Sequence, residues 1–163
     1  MTAVLSLAGC ALLFLGIWGV TVTLPTKLLA KNFPKDVQEK LKPRLDQLPM
    51  SPRRVLGWII LILFICAYIG LFVIAGIDGM KHQFTFSQFF LRFLIIGAVI
   101  KAFDIVGLDF FLLTKTHFFQ RYFPETEGCA GWQDFGYNRK QQLRQSVMIV
   151  ICSALAAWIF TLL

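Results

Sequence analysis

Arg92, Lys101, Asp104 and Asp109 interrupt the mainly apolar stretch 87–113, and they are the side chains through which this sequence could do chemistry. A charge near the centre of a membrane-spanning helix costs about 2.5 to 3.5 kcal/mol on insertion scales, so it is kept where it faces a partner or a wet cavity. At about 100° per residue, Asp104 falls to one side of Lys101 and Asp109 to the other, which sets the ammonium between two carboxylates on one broad helical face. Lys101 and Asp104, three residues apart, can also pair with each other. Two uses remain open for such a cluster. It neutralises itself and glues neighbouring helices together, or it serves a ligand, a proton or an ion. Arg92 points the opposite way, and near the end of the stretch it is expected to snorkel to lipid headgroups.

Asp109 opens a second constellation. It is followed by Lys115, His117, Arg121, Glu125, Glu127 and Asp134, interleaved with Phe118, Phe119, Tyr122, Phe123, Trp132, Phe135 and Tyr137. So many rings in a loop argue for a segment lying on a membrane, with ring bodies among the headgroups. The segment is expected to fold back on the rest of the chain and to bring Asp109, Glu125 and Glu127 together. Carboxylates beside bases at such an edge suit a divalent cation or acid–base work on a headgroup. The alternative is an interfacial belt with incidental charges. No repeated His or dense Asp pattern supports a metal, and no metal or cofactor is expected.

The elements that position these residues follow from composition. With 57% hydrophobic residues, 17 Phe and only 15% charged residues, the chain is far more apolar than a soluble domain. Runs over 4–24, 55–77 and 87–113 exceed the ~20 residues that a helix needs to cross a bilayer, and 146–163 sits at the lower limit. The expected fold is therefore all-α integral membrane: a single domain, 1–163, forming a bundle of four transmembrane helices. The first run lacks a basic n-region and a small-residue cleavage site, so it is expected to be retained as a helix instead of acting as a signal peptide.

Charge asymmetry gives the orientation. Residues 27–54 carry eight Lys or Arg, residues 114–145 carry five, and the turn between the second and third runs carries only Lys81. Both long loops, 25–54 and 114–145, are expected in the cytoplasm with both termini external. The net charge of +7 is thus a topology signal, and nucleic acid is not an expected partner. The first loop has order of its own. Asn32 can cap a helix with Pro34 early in it, Phe33, Val37 and Leu41 form one apolar stripe, and Pro43 is expected to stop it. Such a helix lies in the headgroup plane, where Lys35, Lys40 and Lys42 meet anionic lipids; a solvated linker is the alternative. Ser51 and Pro52 form a cap and first-turn pair for the second span.

Small residues four apart, Cys66 with Gly70, Ala98 with Ala102, Cys152 with Ala156 and Ser153 with Ala157, together with Gly9 and Gly16, mark expected helix contacts. The cysteines Cys10, Cys66, Cys129 and Cys152 form no metal spacing and are read as small buried hydrophobes, with palmitoylation the alternative for Cys129.

Phe103-Asp104-x4-Asp109 followed by Pro124-Glu125-Thr126-Glu127-Gly128 resembles a segment of small, uncharacterised multi-span membrane proteins of bacteria, over about a quarter of the chain. Those proteins carry a histidine shortly after the P-x-T-E-G element, where this chain has Tyr137, Asn138 and Arg139. The resemblance implies a bacterial cytoplasmic membrane and supplies no activity. Two functions stay open. The preferred one is a non-catalytic accessory or transport-related component whose third helix docks a partner or lines a polar pathway. The other is a small enzyme acting on a lipid or isoprenoid at the cytoplasmic face through Asp104, Asp109, Glu125, Glu127 and His117. The absence of G-x-S-x-G, H-E-x-x-H, a Walker loop or paired His boxes disfavours the enzyme. Four helices without an internal repeat disfavour a stand-alone transporter. Expected partners are membrane lipids, anionic ones included, and a membrane protein or a second copy of the chain.

Overall fold

Long apolar runs without a breaker set the architecture. The computed structural model describes residues 1–23, 30–46 and 51–163, and every regular element among them is helical. Residue 24, the expected end of the first run, and parts of the first basic loop lie outside the described residues. Helix α1 runs Thr2–Thr23, α2 Lys35–Asp46, α3 Pro52–Lys81 and α4 Phe86–Phe103. A π-helix, Asp104–Lys115, continues α4 directly. After it come the short α5, Phe118–Tyr122, single 3-10 turns at Pro124–Thr126 and Ala130–Gln133, and α6, Arg139–Leu162.

Three of these helices, α1, α3 and α6, are long and apolar enough to cross a membrane. Their outward faces carry Val4, Leu7, Ile62, Leu63, Ile69, Val147, Ile151 and Leu155, each exposed, a surface that lipid would cover and water would not tolerate. Helix α4 packs against α6, α1 and α3 and supplies the most deeply buried rings, Phe89 and Phe93. Ser51 caps α3 as expected, accepting the Arg54 amide at 3.4 Å with Pro52 in the first turn. The α3–α4 turn closes on Gln83 at φ 51°, and the Gln88 side chain accepts the Thr85 amide at 2.8 Å where α4 begins.

Contacts between helices use part of the expected small-residue set. Gly9, Gly16, Ser153 and Ala157 are buried, whereas Gly70 faces open space and Cys66, Ala98 and Ala102 are exposed. Gly97 carries the α4–α6 contact instead, since a Cβ there would press on Ile149 at 2.6 Å. The cysteines also depart from expectation. Only Cys129 is buried, inside an aromatic core, which leaves its sulfur inaccessible to an acyl chain.

Two segments differ from the sequence reading for identifiable reasons. Pro43 does not stop α2: the helix loses one amide there, but Arg44 beyond it binds Glu125 and the Tyr122 carbonyl, and Leu45 packs on the loop core. Asn32 is not the cap, because its side-chain oxygen accepts Gln141 and its carbonyl accepts the Tyr137 hydroxyl. The α2 stripe of Phe33, Val37 and Leu41 is covered by protein: it packs with Leu113, Phe119, Phe123 and Trp132. Phe33 touches three rings, those of Phe119, Phe123 and Trp132, with centroids 5.0, 5.9 and 5.0 Å away. The aromatic segment is therefore folded back on the chain.

Candidate functional site

The polar core is built where the π-helix meets the first turns of α6. In an α-helix, residues five apart diverge by about 140°. The wider turn of the π-helix narrows that divergence, and Leu108 and Leu113, five apart, are both buried. Asp109 meets the start of α6, where Asn138 at the N-cap and Gln142 in the helix supply amides, while Gln145 one turn on reaches Lys101, the partner of Asp104. Lys101 Nζ donates to Asp104 Oδ2 at 2.7 Å and to Gln145 Oε1. Asp109 Oδ2 accepts Asn138 Nδ2 at 2.8 Å and Gln142 Nε2. Lys101 thus has one carboxylate partner, Asp104, and not the two expected from an unbroken α-helix; the π-turn hands Asp109 to the amides.

This pair opens onto a cavity. A space of about 540 Å³ lies between Leu13 of α1, Tyr68 and Phe72 of α3, Phe93 and Gly97 of α4, and Met148, Cys152 and Ser153 of α6, with Lys101, Asp104 and Gln145 as its polar wall. The Lys101 side chain is 10% exposed and that of Asp104 25% exposed, so the carboxylate is the more accessible partner. Met148 and Cys152 are exposed on the α6 side, which leaves a lateral opening toward the apolar surroundings. An ammonium has three donors, of which two are used, and the second carboxylate oxygen of Asp104 has no hydrogen-bond partner among the described residues; the wall can therefore offer one donor and one acceptor to a polar group entering from the apolar space.

Arg92 is a correction. It is 8% exposed and does not reach headgroups: Nη1 donates to Asp78 Oδ2 at 2.6 Å and to the Ala75 carbonyl at 3.0 Å, and the guanidinium lies 4.2 Å from the Phe84 ring centroid. A fixed carboxylate across the hairpin, with a carbonyl and a ring already in place, holds the guanidinium inside the protein through Nη1, while the buried Nε has no partner among the described residues. Lys35, Lys40 and Lys42 are exposed, outside the stripe that Val37 and Leu41 bury.

The loop carboxylates go to separate partners. Glu125 pairs with Arg44 at 2.9 Å, Asp109 keeps its amides, and His117, Glu127 and Asp134 take no part in a common cluster. Among the described residues, no three His, Cys, Asp or Glu gather where they could hold a metal ion. What holds the loop is Asp36, whose carboxylate accepts the Gly131 amide at 2.8 Å, and Trp132, whose Nε1 donates to the Thr126 carbonyl at 3.2 Å and hydroxyl at 3.1 Å. A Cβ at Gly131 would collide with the Asp36 carboxylate and Pro34, so only glycine lets the loop approach α2 so closely. Burial, followed by the charges of Asp109 and Asp104, pushes the Tyr137 phenol well above its ordinary range, so it stays a neutral donor to Asn32.

Sequence reasoning missed Asn138, Gln142 and Gln145. Their spacing of i, i+4 and i+7 was the available signal: three amides along one helical face just ahead of an apolar run. No protein-family model matches the chain, and no curated protein or solved structure matches it either.

Proposed function

We propose that the chain is a small integral membrane protein of four crossings, a non-catalytic accessory or transport-related component that holds an amphipathic ligand in its central cavity. One observation carries this reading: the Lys101–Asp104 pair lines an open apolar space instead of being packed shut. The volume of about 540 Å³ falls in the range of small-molecule pockets, roughly 300 to 1,000 Å³. Apolar walls suit a hydrocarbon chain, and the free donor and acceptor suit a neutral head such as a hydroxyl, ester or amide. Filling the space tests it: Cys152→Phe is expected to exclude a lipid-like probe while the helices remain inserted.

Helix α4 with its π continuation is taken as the crossing beyond α1, α3 and α6, because it lies among all three and a short turn returns it from α3. The enzymatic alternative needs carboxylates gathered at the loop, and the pairing of Glu125 with Arg44 and of Asp109 with two amides favours the non-catalytic reading. The setting is the bacterial cytoplasmic membrane that the resemblance implies. Both termini are placed outside and both basic loops inside, from thirteen Lys or Arg in those loops against Lys81 alone in the turn. In a background without native cysteines, Gln83→Cys is expected to react with an impermeant maleimide on intact cells. Reaction only after the inner face is opened reverses the orientation.

A further inference from the structure

Away from the central cavity, where the C-terminal end of α1 meets the start of α3, a second pocket of about 380 Å³ is lined by four arginines, Arg44, Arg53, Arg54 and Arg121, with no carboxylate among the described residues of its wall. Arg44 is held by Glu125 and the Tyr122 carbonyl, while Arg53 and Arg121 are exposed residues of its wall. Thr21 also lines this pocket. It is 2% exposed, and its hydroxyl has no hydrogen-bond partner among the described residues. The contrast within α1 is informative: the Thr23 hydroxyl, two residues on, donates back to the Gly19 carbonyl at 2.6 Å, the ordinary way for a helical threonine to satisfy itself. A buried hydroxyl left without such a bond awaits a partner. The 30-residue α3 adds the positive end of its dipole at Ser51.

The pocket continues into an apolar groove. Ser51 is shared with a neighbouring space of about 530 Å³ along Pro52, Val55, Leu56 and Ile59, the last three each about half exposed. A basic pocket running into an apolar strip on a candidate membrane-spanning helix has the shape of one ligand class. We infer that this is a binding site for an anionic phospholipid: the phosphate lies among Arg53, Arg121 and the Thr21 hydroxyl, and an acyl chain lies along Val55, Leu56 and Ile59 of α3. Guanidinium groups suit it because their donors match phosphate oxygens. The site depends on α3 meeting lipid and is independent of the central cavity, so either can fail alone.

The test is native mass spectrometry of the full chain in detergent, titrated with phosphatidylglycerol and, separately, phosphatidylcholine. The expected result is a one-to-one phosphatidylglycerol adduct favoured by about tenfold over phosphatidylcholine, reduced about tenfold by Arg53→Gln with Arg121→Gln, and about threefold by Thr21→Val. Lys140→Gln with Arg144→Gln, exposed charges on α6, should leave it unchanged. Arg53→Lys with Arg121→Lys should keep part of the preference, and Thr21→Val, which preserves shape, carries the test if the glutamine pair fails to fold. Equal adducts of the two lipids, or equal losses in the α6 and arginine variants, would overturn the site. Full displacement of the lipid by millimolar inorganic phosphate would overturn the lipid as occupant in favour of a soluble phosphate.

Discussion

Asp104→Ala is expected to cost the folded state about 3 kcal/mol, the lower end of what is lost when one member of a buried pair is removed. It leaves the Lys101 ammonium with Gln145 as its remaining partner in an apolar wall. Lys101→Met should be milder. The Asp104 side chain it leaves behind is 25% exposed, against 10% for Lys101, so the group stranded by that change is the less buried of the two. Thermal unfolding in detergent, followed by fluorescence-detected size exclusion, reads both. Equal losses would mean that the pair is no more than a surface contact; a larger loss from Lys101→Met would mean that the carboxylate is the deeper charge.

The second large effect belongs to the loop. Trp132→Ala removes a side chain that is 2% exposed, stacks on Phe119 at 5.7 Å and binds Thr126 twice, so a loss of about 3 to 5 kcal/mol is expected from the lost burial and the cavity together. That energy holds residues 116–138 against α2, and it does not hold α1 to α3. Limited proteolysis should therefore cut within the loop, beside Arg121 or Arg139, while the long helices stay protected. Cleavage spread over the α1–α3 contacts would show that the aromatic core supports the whole chain. Asp36→Asn is expected to produce a weaker form of the same opening, since the Gly131 amide keeps one neutral acceptor.

What could be read from residue types was decided by how local the cause is. The helices α1 and α3 were legible because an apolar run without a breaker has few alternatives, and the Ser51-Pro52 start of α3 because a cap is a two-residue event. The fold-back of the aromatic segment was legible too, since rings of that number need cover. The start of α6 was placed seven residues late: Arg139, Lys140 and Arg144 make its first turns look like loop, and they are tolerated because they face away from the π-helix amide contacts. The π-helix had no local sign. Spacing cannot say whether residues 104 and 109 share a face until the turn width is known, and that width comes with the burial of both Leu108 and Leu113. Arg92 was misplaced for a similar reason, because its carboxylate, Asp78, belongs to the preceding helix. The cavity is invisible in sequence altogether, being a property of four helices at once.

The most direct test of the central cavity is photolabelling in vesicles with a palmitic acid bearing a mid-chain diazirine, with the labelled residues mapped by mass spectrometry. The cavity reading predicts saturable labelling at Tyr68 and Phe72, suppressed by Cys152→Phe, while the outward-facing, exposed Ile62 and Leu155 label without saturation and are unaffected by that change. Labelling at Tyr68 and Phe72 that is absent, or that continues unchanged in Cys152→Phe, would contradict it.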